Sequence, residues 1–272
     1  MTKIAPMDFQ DPPEGSEALA CLRDGAVAHI VLNRPASRNA MTGAMWERLA
    51  PLARELDADD SVRVVVVRGA GTAAFCAGAD ILEFPQIYSD AQRTAGYNTL
   101  VREGQLALER LSKPTIALVR GACVGGGCGI ALSCDLRFAA NDARLGITPS
   151  RLGVAYSVPD TRRLTALVGP SRAKDILFSG RLMEATEAAT MGLVDRVMPG
   201  GALDDAVAAY VRVLLANARG SMRTAKAMIN SISGVHPQPD ALLDGLFEQS
   251  FSSDDFREGF NAFAQKRPPR FR

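Results

Sequence analysis

Residues Val62-Arg-Val-Val-Val-Val-Arg68 form an unbroken β-branched run, and no other stretch narrows the fold so far. Apolar and polar residues do not alternate there, so both faces of the expected strand must be covered. That is the condition of a central strand in a parallel sheet. Thr115–Val119, opened by Pro114, and Leu136–Ala139 read as two more buried strands; Leu145–Pro159 then reads as a loop, and the next helices run around Asp160–Val168 and Ser171–Phe178. Helical stretches separate the strands, so strands alternate with helices up to about residue 198, and a helical tail follows. The order predicts an α/β core over residues 17–198 and a helical C-terminal region over residues 199–272. Ala18–Arg23 and Ala26–Asn33 flank Asp24-Gly25, a hairpin-turn signal. Thr42 can cap a helix whose apolar stripe runs through Met45, Leu49, Leu52 and Leu56. Pro6, Pro12, Pro13 and Gly15 make residues 1–16 read as a loose leader.

Composition excludes several function classes. With 31 basic and 30 acidic residues the net charge is +1, so no global field draws the chain to nucleic acid or to an acidic membrane. Cys21, Cys76, Cys123, Cys128 and Cys134 sit in apolar runs, which suits reduced, buried thiols. None is spaced with a second Cys or a His as a zinc ligand would be, and His29 and His236 are far apart, so no metal site is expected. There is no apolar run long enough to span a bilayer and no basic–apolar–small leader pattern, and the expectation is a soluble, cytoplasmic protein.

Two segments share one design, a strand running into a small-residue turn and then a helix. Val64–Arg68 leads to Phe75-Cys-Ala-Gly-Ala-Asp80, and Thr115–Val119 leads to Gly125-Gly-Gly-Cys-Gly129. Small residues let backbone approach a ligand closely. If the turns lie side by side, one N–H from each can converge on a single oxygen and form an oxyanion hole. Taken singly, either turn reads as tight helix–strand packing. A dinucleotide site is a weaker match, because Gly125, Gly127 and Gly129 lack the full Gly-x-Gly-x-x-Gly spacing and its distal acidic residue.

The ordered set of motifs resembles the crotonase, or enoyl-CoA hydratase/isomerase, superfamily. It comprises Leu32-Asn-Arg-Pro-Ala-Ser-Arg-Asn-Ala40, Ala74-Phe-Cys-Ala-Gly-Ala-Asp-Ile81, Lys113-Pro…Gly121-Ala-Cys-Val-Gly-Gly-Gly127, Cys134-Asp135, Glu187-Ala…Gly192-Leu-Val194 and Glu258-Gly…Phe263…Lys266-Arg267. The resemblance implies a spiral of ββα repeats, a helical trimerisation region, and a homotrimer or dimer of trimers. It also implies an acyl-CoA thioester as substrate, with coenzyme A part of the substrate rather than a bound cofactor. By that resemblance the Ala79 and Gly126 N–H groups hold the thioester enolate oxygen. Arg38, Ala40, Ala77, Asp80 and Ile81 lie along coenzyme A, and Phe263 and Lys266 reach it, often across a subunit interface. Read without the resemblance, Lys266–Arg272 is a solvated basic tail.

The chain departs from that pattern where the family's hydratases carry two glutamates, since Gly129 and Pro149 stand there. Neither can transfer a proton through a side chain, so the ordinary acid–base hydration route is absent. Ile147-Thr-Pro-Ser-Arg-Leu-Gly-Val-Ala-Tyr156 resembles a stretch of the superfamily's methylmalonyl-CoA decarboxylases, in which a tyrosine at the position of Tyr156 is implicated in the site. Those enzymes carry a histidine where this chain has Ala79. Loss of CO₂ generates an enolate without a base. The readings therefore stand as an acyl-CoA hydratase/isomerase-like enzyme, a decarboxylase using Tyr156, or a coenzyme A binder without turnover. Tyr156 reads equally well as a packing aromatic. Glu83, Glu103 and Asp160 are further polar candidates; Glu83 reads as a surface carboxylate. Asp135 reads as structural, Cys128 as inert and His29 as a core histidine.

Overall fold

The computed structural model describes residue 7 and residues 9–271. Its elements are β1 (Leu19–Asp24), β2 (Val27–Leu32), α1 (Gly43–Ala58), β3 (Val64–Gly69), β4 (Ala74–Cys76), α2 (Phe84–Ile87), α3 (Ala91–Glu109), β5 (Thr115–Val119), β6 (Ala122–Val124) and α4 (Gly126–Leu132). They continue with β7 (Leu136–Ala140), β8 (Arg144–Gly146), α5 (Val158–Ser179), β9 (Leu182–Glu184), α6 (Ala185–Met191) and β10 (Arg196–Met198). Four helices close the chain: α7 (Leu203–Ala216), α8 (Arg219–Ile232), α9 (Asp240–Ser250) and α10 (Asp254–Ala264).

Two sheets organise the fold. The larger has the order β1-β2-β3-β5-β7-β10, with β2 to β10 parallel and β1 antiparallel at the edge. The smaller has the order β4-β6-β8-β9. Each of β3, β5 and β7 is followed at once by β4, β6 and β8, and each pair then leads into helix, so a ββα unit winds three times. The valine run explains the layering. Val65 and Val67 pack into a core with Met45, Trp46, Leu49 and Leu56 of α1 and Leu108 of α3. Val64 and Val66 face Leu203, Val207 and Val211 of α7. All six residues of β3 are buried, and full burial of a valine contributes roughly 1.5–3 kcal/mol.

α1 starts as expected, with Thr42 Oγ1 accepting from the Met45 N–H at 3.3 Å. The second sheet, implied by the ββα resemblance, is not placed by the residues themselves, because its strands are three residues long and lie inside segments that read as turns. Three expectations need correction. The leader is not loose at its far end. The Phe9 ring meets His29 edge-on at 5.4 Å, and Asp11 accepts from Arg68 at 3.0 Å and from the Gly71 N–H at 2.9 Å. Residues 1–6 and 8 lie outside the described residues. The stretch Leu145–Pro159, expected as loop, carries β8 and a short 3-10 turn over Pro149–Leu152. Cys21 is exposed while the other four cysteines are buried, because β1 is an edge strand with one face outward.

A compact chain of 28.9 kDa exposes about 11,000 Å²; this one exposes 14102 Å². The excess includes large apolar side chains on the C-terminal helices, among them Ile229, Ile232, Phe256, Phe260 and Phe263. Among the described residues, no helix is long and apolar enough to cross a membrane, and no cluster of His, Cys, Asp and Glu could hold a metal ion.

Candidate functional site

The two glycine turns meet. Ala79 bridges to Met41 in parallel register. The Met41 N–H donates to the Gly78 carbonyl at 2.8 Å and the Asp80 N–H donates to the Met41 carbonyl at 2.9 Å. In such a bridge the flanking groups of Gly78 and Asp80 face Met41, so the amide of Ala79 points the other way. On that side lies Gly126. A methyl group placed on Gly126 would come within 4.0 Å of the Ala79 nitrogen, and one placed on Gly78 within 3.9 Å of the Gly126 nitrogen. Among the described residues, neither the Ala79 nor the Gly126 N–H has a hydrogen-bond acceptor.

Each glycine around this point has its own reason. Gly78 has φ +107° and Gly125 has φ +53°, conformations that side chains resist. A Cβ on Gly127 would lie 2.8 Å from Cys76 Cβ and 3.1 Å from its carbonyl carbon, so α4 and β4 pack too closely for anything larger. Cys128 is held by main chain, its thiol donating to the Cys123 carbonyl at 2.8 Å and the Gly146 carbonyl at 3.3 Å, and among the described residues its hydrogen-bond partners include no base. Burial pushes the neighbouring Cys76 thiol up to about 12.

Gly129 opens on a buried polar cluster, of which the sequence singles out Asp160 alone. A Cβ there would overlap the end of the Gln105 side chain and would lie 3.1 Å from its Cδ and 3.5 Å from Asp160 Oδ1. The Gln105 amide is assigned with its nitrogen toward Asp160, donating to Oδ1 at 2.6 Å and Oδ2 at 3.2 Å, since the opposite orientation sets oxygen against oxygen. Arg163 Nη1 donates to Asp160 Oδ1 at 2.6 Å, and Ser157 Oγ donates to Oδ2 at 2.6 Å. Arg163 also donates to Glu109 at 2.7 Å. Burial holds the Asp160 carboxyl above the usual carboxylate range, opposed by Ser157 and Arg163. The Tyr156 hydroxyl is buried and has no hydrogen-bond partner among the described residues. Burial, and then the Asp160 charge, hold its phenol far above the usual range. The missed signal was a polar pair, Gln105 and Glu109, spaced i,i+4 on the buried side of α3 with Leu108 between them.

The loop expected along coenzyme A does border the first turn. The Ala77 N–H donates to the Arg38 carbonyl at 3.0 Å, while the Arg38 side chain stays exposed. Buried Asn39 locks this loop, donating to the Ala70 and Ala74 carbonyls and accepting from the Arg34 N–H. Arg34 donates to the Ala40 carbonyl and pairs with Asp80 at 2.7 Å, which holds the Asp80 carboxyl below its usual range. Ile81 is 70 % exposed on the same rim. Phe263 and Lys266 are not brought to it. They sit at the end of α10, Phe263 86 % exposed, and among the described residues no hydrogen bond or ion pair ties them to residues 38–40 or 77–81. Pro149 opens the 3-10 turn and offers no side-chain chemistry. Glu83 accepts from the Gly43 N–H at 2.7 Å and thus serves the start of α1, Glu103 is exposed, and Asp135 accepts from the Thr115 N–H and pairs with Lys226.

The family profile described as enoyl-CoA hydratase/isomerase matches residues 23–272. A short-chain-enoyl-CoA hydratase of Clostridium acetobutylicum is 34 % identical over 250 residues, which cover 90 % of this chain and 94 % of that protein. Among solved structures, an enoyl-CoA hydratase/carnithine racemase of Magnetospirillum magneticum is 36 % identical with a TM-score of 0.89, covering 95 % of this chain and 96 % of that one. An enoyl-CoA hydratase of Bacillus anthracis is 30 % identical with a TM-score of 0.85, covering 94 % and 99 %.

Proposed function

The chain belongs to the enoyl-CoA hydratase/isomerase family, and from that membership we propose that it is an enzyme acting on an acyl-CoA thioester. The Ala79 and Gly126 N–H groups grip the thioester oxygen and stabilise the enolate that forms from it. The observation that carries this reading is the adjacency of two main-chain donors, each without an acceptor among the described residues. An unpaired donor aimed at developing charge is the arrangement that lowers such a barrier, each one by about 10²–10³ in rate. Arg38, Ala40, Ala77, Asp80 and Ile81 form the rim along coenzyme A. Phe263 and Lys266 complete it from a neighbouring copy in a homotrimer or dimer of trimers. The exposed phenyl groups of α10 and the 14102 Å² of surface support that assembly.

Decarboxylation is the second reading, and two observations favour it. Gly129 and Pro149 provide no acid or base, whereas loss of CO₂ leaves its electron pair as the enolate directly. The Tyr156 hydroxyl is buried, without a partner among the described residues, and held in its neutral, proton-bearing form by that burial; in this reading it meets the acyl part. A panel of enoyl-CoA, malonyl-type and methylmalonyl-type thioesters, assayed by product mass, separates the readings. Turnover of a carboxylated thioester, slowed at least tenfold in Tyr156→Phe with coenzyme A binding unchanged, is the expected result. Tight coenzyme A binding with no turnover of any panel member would reduce the protein to a binder.

A further inference from the structure

A side chain of α3 fills the space one step along α4 from the two amides. Gly126 and Gly129 stand i and i+3 on α4, so their side-chain positions are neighbours on one face, about 5–6 Å apart. The position at Gly126 lies 4.0 Å from the Ala79 nitrogen, beside the oxygen that both amides would grip. The position at Gly129 is filled from outside the helix. A Cβ there would overlap the end of the Gln105 side chain, with Gln105 Cδ at 3.1 Å and Asp160 Oδ1 at 3.5 Å. Gln105 is 2 % exposed, so its amide lies inside the fold and not on the outer face of α3.

The orientation of that amide is fixed. Its nitrogen donates to Asp160 Oδ1 at 2.6 Å and Oδ2 at 3.2 Å. Asp160 is itself anchored, because Arg163 Nη1 and Ser157 Oγ each donate to it at 2.6 Å, and Arg163 is held by Glu109 at 2.7 Å. With the nitrogen committed to Asp160, the amide oxygen is the atom turned toward Gly129. Among the described residues no donor serves that oxygen. An amide oxygen accepts hydrogen bonds and carries no proton to give, so the group that satisfies it must bring a donor. In an acyl group whose thioester oxygen sits at the Ala79 and Gly126 amides, a hydroxyl on the third carbon is four bonds from that oxygen. Four bonds span about 4–5 Å when extended, which matches the step from position 126 to position 129.

We propose that Gln105 is a specificity-determining residue: held by Asp160 in the space left open at Gly129, its amide oxygen accepts a hydrogen bond from a hydroxyl on the third carbon of the acyl group. This rests on the reading in which an acyl-CoA thioester is seated at Ala79 and Gly126, and it selects hydroxyacyl thioesters within that class. The test is binding by titration calorimetry, with butyryl-CoA and each enantiomer of 3-hydroxybutyryl-CoA as probes. These differ at the third carbon by the hydroxyl alone. The wild-type protein should bind one hydroxylated enantiomer at least about fivefold more tightly than butyryl-CoA, the worth of one neutral hydrogen bond. Gln105→Met is close in size and has no amide oxygen. It should erase that preference while butyryl-CoA binding is kept, an outcome that a purely structural role for Gln105 would not produce. Should Gln105→Met fail to fold, Gln105→Asn, which draws the amide back by one methylene, should show the same loss. The wild-type comparison also stands without any variant. Equal affinity for all three probes in the wild type, or a preference that survives in a folded variant, would overturn the proposal. Binding of none of the probes would overturn the acyl-CoA reading and the proposal with it, so the two failures are distinct.

Discussion

Gly126→Ala separates chemistry from folding at the point where the two turns meet. The added Cβ would stand 3.3 Å from Trp46 Cζ2 and 3.9 Å from its Cη2, against an ordinary carbon separation of about 3.5–4.0 Å. The indole need give only a few tenths of an ångström, a cost of under about 1 kcal/mol. Gly126 is not among the positive-φ glycines and opens α4, where alanine recovers up to about 1 kcal/mol of helix propensity. The terms nearly cancel, so Tm should move by less than about 4 °C. The same methyl lies 4.0 Å from the Ala79 nitrogen, at the space that an oxygen gripped by both amides must enter. Losing one donor's contribution should lower kcat about 10²–10³-fold, or about 2.7–4 kcal/mol. The neighbouring Gly127→Ala is the control with the opposite signature. Its Cβ meets main chain and Cβ of Cys76, which cannot move aside, and the cost of about 1–3 kcal/mol falls on stability. Calorimetric Tm, steady-state turnover of the best thioester and coenzyme A binding are measured on both variants. Wild-type kcat in a folded Gly126→Ala protein would refute the reasoning.

Two further outcomes follow from the ion pairs. Arg163→Met leaves Glu109 and Asp160 buried without their shared cation and should destabilise the chain by about 3–5 kcal/mol, read as a lower urea midpoint. Asp80 is held below its ordinary range first by Arg34 and then by the Leu82 N–H, so it is ionised in the fold at a pH where the unfolded chain is already protonated. Its contribution to stability is therefore present above about pH 4 and lost as pH falls through its lower folded value. Asp80→Asn should lack that part of the acid dependence when unfolding is followed by circular dichroism between pH 2 and 5; an identical acid profile would show the pair to be idle.

Long elements with one strong pattern were legible in the sequence. The valine run of β3, the Asp24-Gly25 hairpin and the Thr42-capped α1 all carry local signals, and the structure has each of them. So does the break between Val168 and Ser171, where Gly169 takes φ +78° before Pro170. The second sheet was hidden because β4, β6, β8 and β9 are held by pairing across the chain rather than by their own composition. The turns at Ala79 and Gly126 could be found because small residues are conspicuous. Asp160 could be singled out as a polar candidate, but its partners Gln105, Glu109 and Arg163 could not, since they are polar residues on two helices that look solvated until α3 and α5 pack together. Phe263 and Lys266 mark the other limit: a single chain leaves them at an exposed helix end, and no local signal says what meets them there.

The most direct test is a crystal structure with an acyl-CoA or acetyl-CoA soaked into the site. The thioester oxygen should lie about 2.7–3.1 Å from both the Ala79 and Gly126 nitrogens, with the Tyr156 ring beside the acyl carbon. A thioester seated elsewhere, or an oxygen bonded to neither nitrogen, would contradict the account.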